Sequence, residues 1–164
     1  MTGSTRTDLI TKETIQLDLE ADSKFDAIRA LCGLLFGINR SNDPSLLYRD
    51  IVRREEAVST FAGTQTAIPH AISDHISVPT LCFARTANPD FTWDGKDQAV
   101  RFVFMLSAPS VGDLKQLRQS LSYVFSSVAQ LICQPETLEL WETATDEQVI
   151  LDSLSSAFEA YQNK

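Results

Sequence analysis

The sequence predicts a single α/β domain built on a mixed β-sheet flanked by helices. Three observations carry that reading. Strand and helix patterns are interspersed along the chain in the order β-α-α-β-β-β-α-α-α. Two β-rich runs, residues 78–87 and 100–106, follow one another with only turn residues between them, which suggests a mixed rather than a purely parallel sheet. A chain of 164 residues with 43% hydrophobic and 22% charged side chains is one domain long and rich enough for a core, which excludes a disordered chain.

The elements can be justified in order. Residues 14–20 alternate Ile15, Leu17 and Leu19 with polar neighbours, as a half-buried strand does. Ser23, after Asp22, offers an N-cap with Asp26 in the capping-box position. Phe25, Ile28, Leu31, Cys32 and Leu35 then share one helical face, which Gly37 ends. Pro44 suits the first turn of a second helix, whose apolar side is Leu47 and Ile51 with Leu46 and Val58. Residues 59–66 are small and polar around Gly63 and predict a loop. Residues 66–70 are extended, because a residue before proline disfavours the helical region. Asn88-Pro89-Asp90 and Trp93-Asp94-Gly95 mark turns between the two β-runs. Residues 113–131 have helical spacing at Leu114, Leu117, Leu121, Val124, Phe125 and Val128. Pro135 opens a short helix through Trp141, and Thr145-Asp146-Glu147-Gln148 is a capping box before a last helix with Val149, Leu151, Leu154 and Phe158. Residues 1–8 read as a flexible tail, with no apolar core of a signal peptide in residues 1–7, and the domain as 9–162.

Charge narrows the partners. Fourteen Lys and Arg stand against 22 Asp and Glu, a net charge of -8, and the densest basic spot, Arg53-Arg54, is followed at once by Glu55-Glu56. Nucleic acid needs clustered cations and is excluded. From Gln134 onward seven acids face one base, Lys164, which reads as a solvated acidic surface. The longest uncharged stretch, residues 119–135, is interrupted by Ser and Gln and predicts an amphipathic helix, so no direct membrane insertion is expected. Cys32, Cys82 and Cys133 are odd in number, 50 and 51 residues apart, and sit among apolar neighbours. They predict buried thiols in a reducing compartment and hence a cytoplasmic protein.

The chemistry narrows to one residue. His70 and His75 are the two histidines, and without a third ligand motif they do not predict a metal site. No nucleophile elbow and no Walker loop is present. Pro69 fixes the backbone entering His70 and removes a competing N–H, so a rigid extended segment presents one imidazole at the end of a strand. By local pattern alone that imidazole either bonds a carbonyl or reacts.

Arg54-Glu55, Thr60, Gly63 and Ala67-Ile68-Pro69-His70, with the arginine 16 residues before the histidine, decide between these readings. Together they resemble the enzyme IIA domain of the fructose–mannitol type in the bacterial phosphoenolpyruvate-dependent sugar phosphotransferase system. Ser77-Val78-Pro79, Asn88-Pro89 with Trp93-Asp94, and the run from Val100 to Pro109 extend the resemblance over roughly residues 10–158. It implies a fold of the phosphotransferase and anion-transport-protein kind. It also implies a phosphotransferase with a phosphohistidine intermediate. His70 would accept a phosphoryl group from the phosphocarrier HPr and pass it to a cysteine of a IIB component during coupled sugar uptake. Arg54 and Thr60 would stabilise the phosphoryl group, and no cofactor is implied.

The physical logic is independent of the family. Neutral imidazole, with an ordinary pKa of about 6.5, is a nucleophile near neutral pH. A guanidinium forks onto phosphate oxygens and spreads the charge of the transfer. Plainer readings stand beside these: Arg54 paired with Asp50 at i−4, Glu55 solvated, and Thr60 bonded to its own loop. Residues 110–115, Ser-Val-Gly-Asp-Leu-Lys, lack the second histidine that many such domains carry there. Lys115 and Arg118 are its candidate substitutes, and His75 reads as an exposed loop residue. No cysteine has the setting of a IIB acceptor, so IIB and the membrane component are expected on separate chains. The missing histidine also leaves an alternative, a regulatory IIA-like module whose His70 phosphorylation state controls a protein partner.

Overall fold

The computed structural model describes residues 8–155 and 157–158. The expected tail, Asp8 apart, lies outside the described residues, as do the last residues of the expected domain. The helices form where the cap signals stand. In α1 (Lys24–Gly37) the Ser23 hydroxyl accepts from the Asp26 N–H at 3.2 Å. In α2 (Pro44–Ala57) proline opens the first turn and Asp43 accepts from the Leu46 N–H at 3.1 Å. Asp113 caps α3 (Leu114–Leu131). Pro135 opens α4 (Pro135–Thr143), two residues longer than the sequence predicts. At α5 (Glu147–Ser155) Asp146, rather than Thr145, accepts from the Gln148 N–H. Gly37 is the last residue of α1, but the left-handed step falls on Asn39, with φ 66°.

The sheet has more strands than the sequence predicts. The expected strands are β1 (Ile15–Leu19), β5 (Thr80–Thr86) and β6 (Phe102–Ala108), the expected extended run at 66–70 becomes β3 (Thr66–Ala67) and β4 (His70–Ile72), and the structure adds β2 (Phe61–Gly63). The expected loop at 59–66 is thus a hairpin. Its turn residues Thr64 and Gln65 have φ 45° and 61°, the backbone that matches the twist of paired strands. Gly63, at φ 83°, takes a conformation that side chains rarely adopt. Strands of two and three residues are too short to show alternation in a sequence.

The strand order is β1-β5-β6-β3-β2, with β4 also paired to β6. β1 runs parallel to β5, β5 antiparallel to β6, and β3 and β4 both parallel to β6, so the sheet is mixed. Thr66 and Ala67 pair with Phe102 and Val103, and His70 to Ile72 continue in the same register with Leu106 to Ala108. β3 and β4 are therefore one strand broken at Ile68-Pro69. Proline has no N–H to give the ladder, and the Ile68 N–H bonds the Thr60 carbonyl instead, at 3.0 Å.

Every residue of β6 is buried, so its side chains build two cores at once. Phe102, Phe104 and Leu106 pack with Leu81 and Phe83 beneath α3, α4 and α5. There the Trp141 ring meets Phe83, Phe102 and Phe104 edge-on at 5.4–5.5 Å. Val103 and Met105 pack with Cys82 and Ala84 beneath α1 and α2. The result is three layers, with helices on both faces and β4 at a sheet edge between α2 and α3.

Some expected burials fail. Val58 is exposed, because it stands just past the last turn of α2. Cys133 is also exposed, beyond the end of α3. Cys32 and Cys82 are buried, and burial pushes both thiols up, Cys32 to about 12, so neither is a ready nucleophile. Among the described residues no helix is long and apolar enough to cross a membrane.

Candidate functional site

His70 opens β4. At strand period Ile68, His70 and Ile72 share a side, and both isoleucines join the core beneath α3. The imidazole follows them and lies edge-on to Phe125 of α3, ring centres 4.5 Å apart. Its Nδ1 lies 2.9 Å from the Ile68 carbonyl oxygen. A carbonyl only accepts, so Nδ1 carries the hydrogen and Nε2 keeps a free lone pair in the neutral ring. Burial lowers the His70 pKa from its ordinary 6.5, and the Arg54 charge lowers it further. The Ile68 hydrogen bond and the Glu55 charge pull the other way without cancelling the shift. The ring is therefore neutral at pH 7, as a nucleophile must be.

A groove of about 520 Å³ opens over the ring. Asp50 and Arg54 of α2 line it, together with β4 and with Arg118, Leu121, Ser122 and Phe125 of α3. Arg54 donates from Nη1 to the Val58 carbonyl at 3.1 Å, holding the end of α2. It is not paired with Asp50, whose carboxylate accepts from the Ser73 hydroxyl at 2.6 Å and lies 3.4 Å from Arg49. The other N–H groups of the Arg54 fork have no partner among the described residues, and an anion in the groove can take them.

Thr60 lies behind this groove rather than in its lining. Its hydroxyl donates to Glu55 Oε1 at 2.5 Å and its N–H to Oε2 at 3.0 Å. Of the three expected site residues, the structure brings His70 and Arg54 together and gives the Thr60 hydroxyl to Glu55.

Glu55 is not solvated, as the plainer reading had it; it is 2% exposed. Besides Thr60 it accepts from Trp93 Nε1 at 2.9 Å and lies 3.5 Å from Lys24 Nζ, which also pairs with Asp94. A chain of bonds then runs from the Glu55 carboxylate through Thr60, whose carbonyl holds the Ile68 N–H, to the Ile68 carbonyl on His70 Nδ1. The carboxylate thus anchors the backbone that sets the imidazole tautomer. Sequence reasoning undervalued it because Lys24 and Trp93 lie 31 and 38 residues away. The one local signal was its place beside Arg54.

Of the two candidate substitutes for a second histidine, Arg118 reaches the groove and Lys115 does not. His75 is half-buried rather than exposed and lies outside the groove lining, its main chain bonded to Ser41 and Ser73. Among the described residues no three His, Cys, Asp or Glu side chains group to hold a metal ion.

Residues 8–157 match the family described as phosphoenolpyruvate-dependent sugar phosphotransferase system, EIIA 2. The chain belongs to that family. Multiphosphoryl transfer protein 1 of Escherichia coli K12 is 32% identical over 149 residues, which is 90% of this chain and 17% of that protein. The chain thus spans about a sixth of the multiphosphoryl relatives it matches. The fructose-specific EIIA component of Haloferax volcanii is 27% identical over 90% of this chain and 92% of its own length. The structure of the nitrogen regulatory protein IIA-Ntr of Neisseria meningitidis superposes with a TM-score of 0.75 at 25% identity, covering 89% of this chain and 96% of that one. Enzyme IIA of the mannitol system of Escherichia coli, solved in complex with phosphorylated enzyme IIB, shares the fold with a TM-score of 0.62 at 20% identity, over 90% of this chain and 99% of that one. The mixed sheet and five helices are those of an EIIA 2 phosphotransferase domain.

Proposed function

We propose that this EIIA 2 domain, residues 9–162 behind a short tail, is a cytoplasmic phosphocarrier of sugar uptake. His70 Nε2 accepts the phosphoryl group of phospho-HPr and yields it to a cysteine of a IIB component. The observation that carries the reading is the neutral imidazole with Nε2 free, in a groove that also holds the Arg54 guanidinium.

The steps are in-line transfers. The Nε2 lone pair attacks phosphorus, the P–N bond to the donor imidazole breaks, and its electron pair returns to the donor ring. His70 keeps its Nδ1 hydrogen, so the phosphorylated ring is cationic, and the Ile68 carbonyl supports that charge. In the second step a thiolate attacks phosphorus and the electron pair of the P–N bond returns to Nε2. The chain's part is to align the partners and to meet charge on the phosphoryl oxygens. Arg54 meets that charge, and Thr60 acts through Glu55 by holding the loop before His70.

The test is the intact mass after incubation with phosphoenolpyruvate, enzyme I and HPr. Wild type should gain one acid-labile phosphoryl group and His70→Ala none; stoichiometric labelling of His70→Ala would sink the assignment. The likeness to a nitrogen regulatory IIA protein favours a second reading, a regulatory module switched by the same phosphorylation. Transfer of the label onward to a purified IIB component separates the two, since a purely regulatory domain would keep it.

A further inference from the structure

Resting on that reading, we infer that Arg118 is a second phosphoryl-binding guanidinium, which closes on the phosphoryl group from the α3 side while Arg54 holds it from the α2 side. Arg118, Leu121, Ser122 and Phe125 stand at i, i+3, i+4 and i+7 and form the stripe of α3 that lines the groove. Phe125 fixes where that stripe lies, because its ring touches His70. Arg118 is two turns toward the helix N-terminus on the same stripe, about 10 Å along the axis. The imidazole itself points to the α3 face, so the group added at Nε2 enters the space that Arg118 borders.

Charge supplies the second argument. A phosphoryl group carries about −1.5 to −2 near neutral pH. Asp50 lines the same groove and adds a carboxylate. With the cationic ring and Arg54 that sum is still negative, about −0.5 to −1, and Arg118 brings it to about neutral. Arg118 is also uncommitted. It is exposed, and among the described residues it has no ion pair or hydrogen bond, whereas Arg40, Arg85 and Arg101 are all spent on main-chain carbonyls or a carboxylate. A long side chain with a planar fork can swing onto phosphoryl oxygens as they arrive.

The experiment is rapid-quench transfer from phospho-HPr to wild type, Arg118→Gln and Arg118→Lys, with kcat and KM for phospho-HPr resolved and folding checked by circular dichroism. Arg118→Gln should lower kcat about tenfold or more, and Arg118→Lys should recover part of that loss. A kcat of Arg118→Gln within threefold of wild type overturns the inference, whether or not KM moves, since a KM effect alone marks a docking contact. If wild type itself takes no label, the phosphocarrier reading falls; if wild type is labelled and Arg118→Gln keeps its kcat, the role of Arg118 alone falls.

Discussion

The two helices that flank His70 are built on opposite terms. At the end of α2 the side chains are committed: Glu55 is buried under donors from Thr60, Trp93 and Lys24, and Arg54 is tied to Val58. On the facing half of α3 Leu121 is anchored in the core and Phe125 meets the His70 ring, while Arg118 and Ser122 are exposed and, among the described residues, unbonded to α2. The contrast separates two tasks of a group-transfer site. One side must hold the nucleophile in one tautomer and one pose, which calls for buried, satisfied polar groups. The other must admit a donor and then an acceptor, which calls for a side that can yield.

The largest expected effect is the loss of all labelling in His70→Ala, which removes the object both sides serve. Next comes the committed side. Glu55→Leu strands the Thr60 and Trp93 N–H groups, leaves the mostly buried Lys24 ammonium with Asp94 alone, and should cost about 3–5 kcal/mol of stability, read from urea unfolding. A loss under about 1 kcal/mol would show that the network is not tight. Arg118→Gln, on the yielding side, should do the reverse: a tenfold loss in kcat with the unfolding midpoint unmoved. Phe125→Ala tests the ring contact that α3 makes with His70. It should remove about 1 kcal/mol with the ring pair and, by admitting water, move the His70 pKa back up toward 6.5, as followed by NMR titration.

The smallest effect is the pH dependence of stability. The folded pKa of His70 lies below 6.5, so the unfolded chain takes the proton first. The group's contribution is complete above pH 6.5 and is lost as pH falls from there to the folded value. In His70→Ala that part of the acid-side slope should vanish; an unchanged slope would mean that other groups produce it.

Much of this was legible in the sequence. The Ser23 cap of α1, the Pro44 first turn of α2 and the apolar spacing of α3 act within a turn or two, so their helices could be read locally. Arg54 and His70 could be read because one short segment carries both. Glu55 could not, since its burial depends on Lys24 and Trp93, which reach it through the packing of α1 and of the turn between β5 and β6. The β2–β3 hairpin was hidden by strands too short to alternate.

The amino-acid sequence by itself determined the α/β class, the helices and their starts, the family, and the pairing of a proline-presented histidine with an upstream arginine. Those features are written in periodicity, caps and a contiguous segment. The tertiary structure alone decided which Nδ1 partner fixes the tautomer, that Thr60 serves Glu55, and that Arg118 rather than Lys115 borders the groove. The physical reason is that the Nδ1 bond and the Thr60–Glu55 bond need the folded path of residues 55–70, and the groove lining needs α3 at one rotation about its own axis over the sheet edge. That rotation is set by core packing on two faces, between residues far apart in the chain.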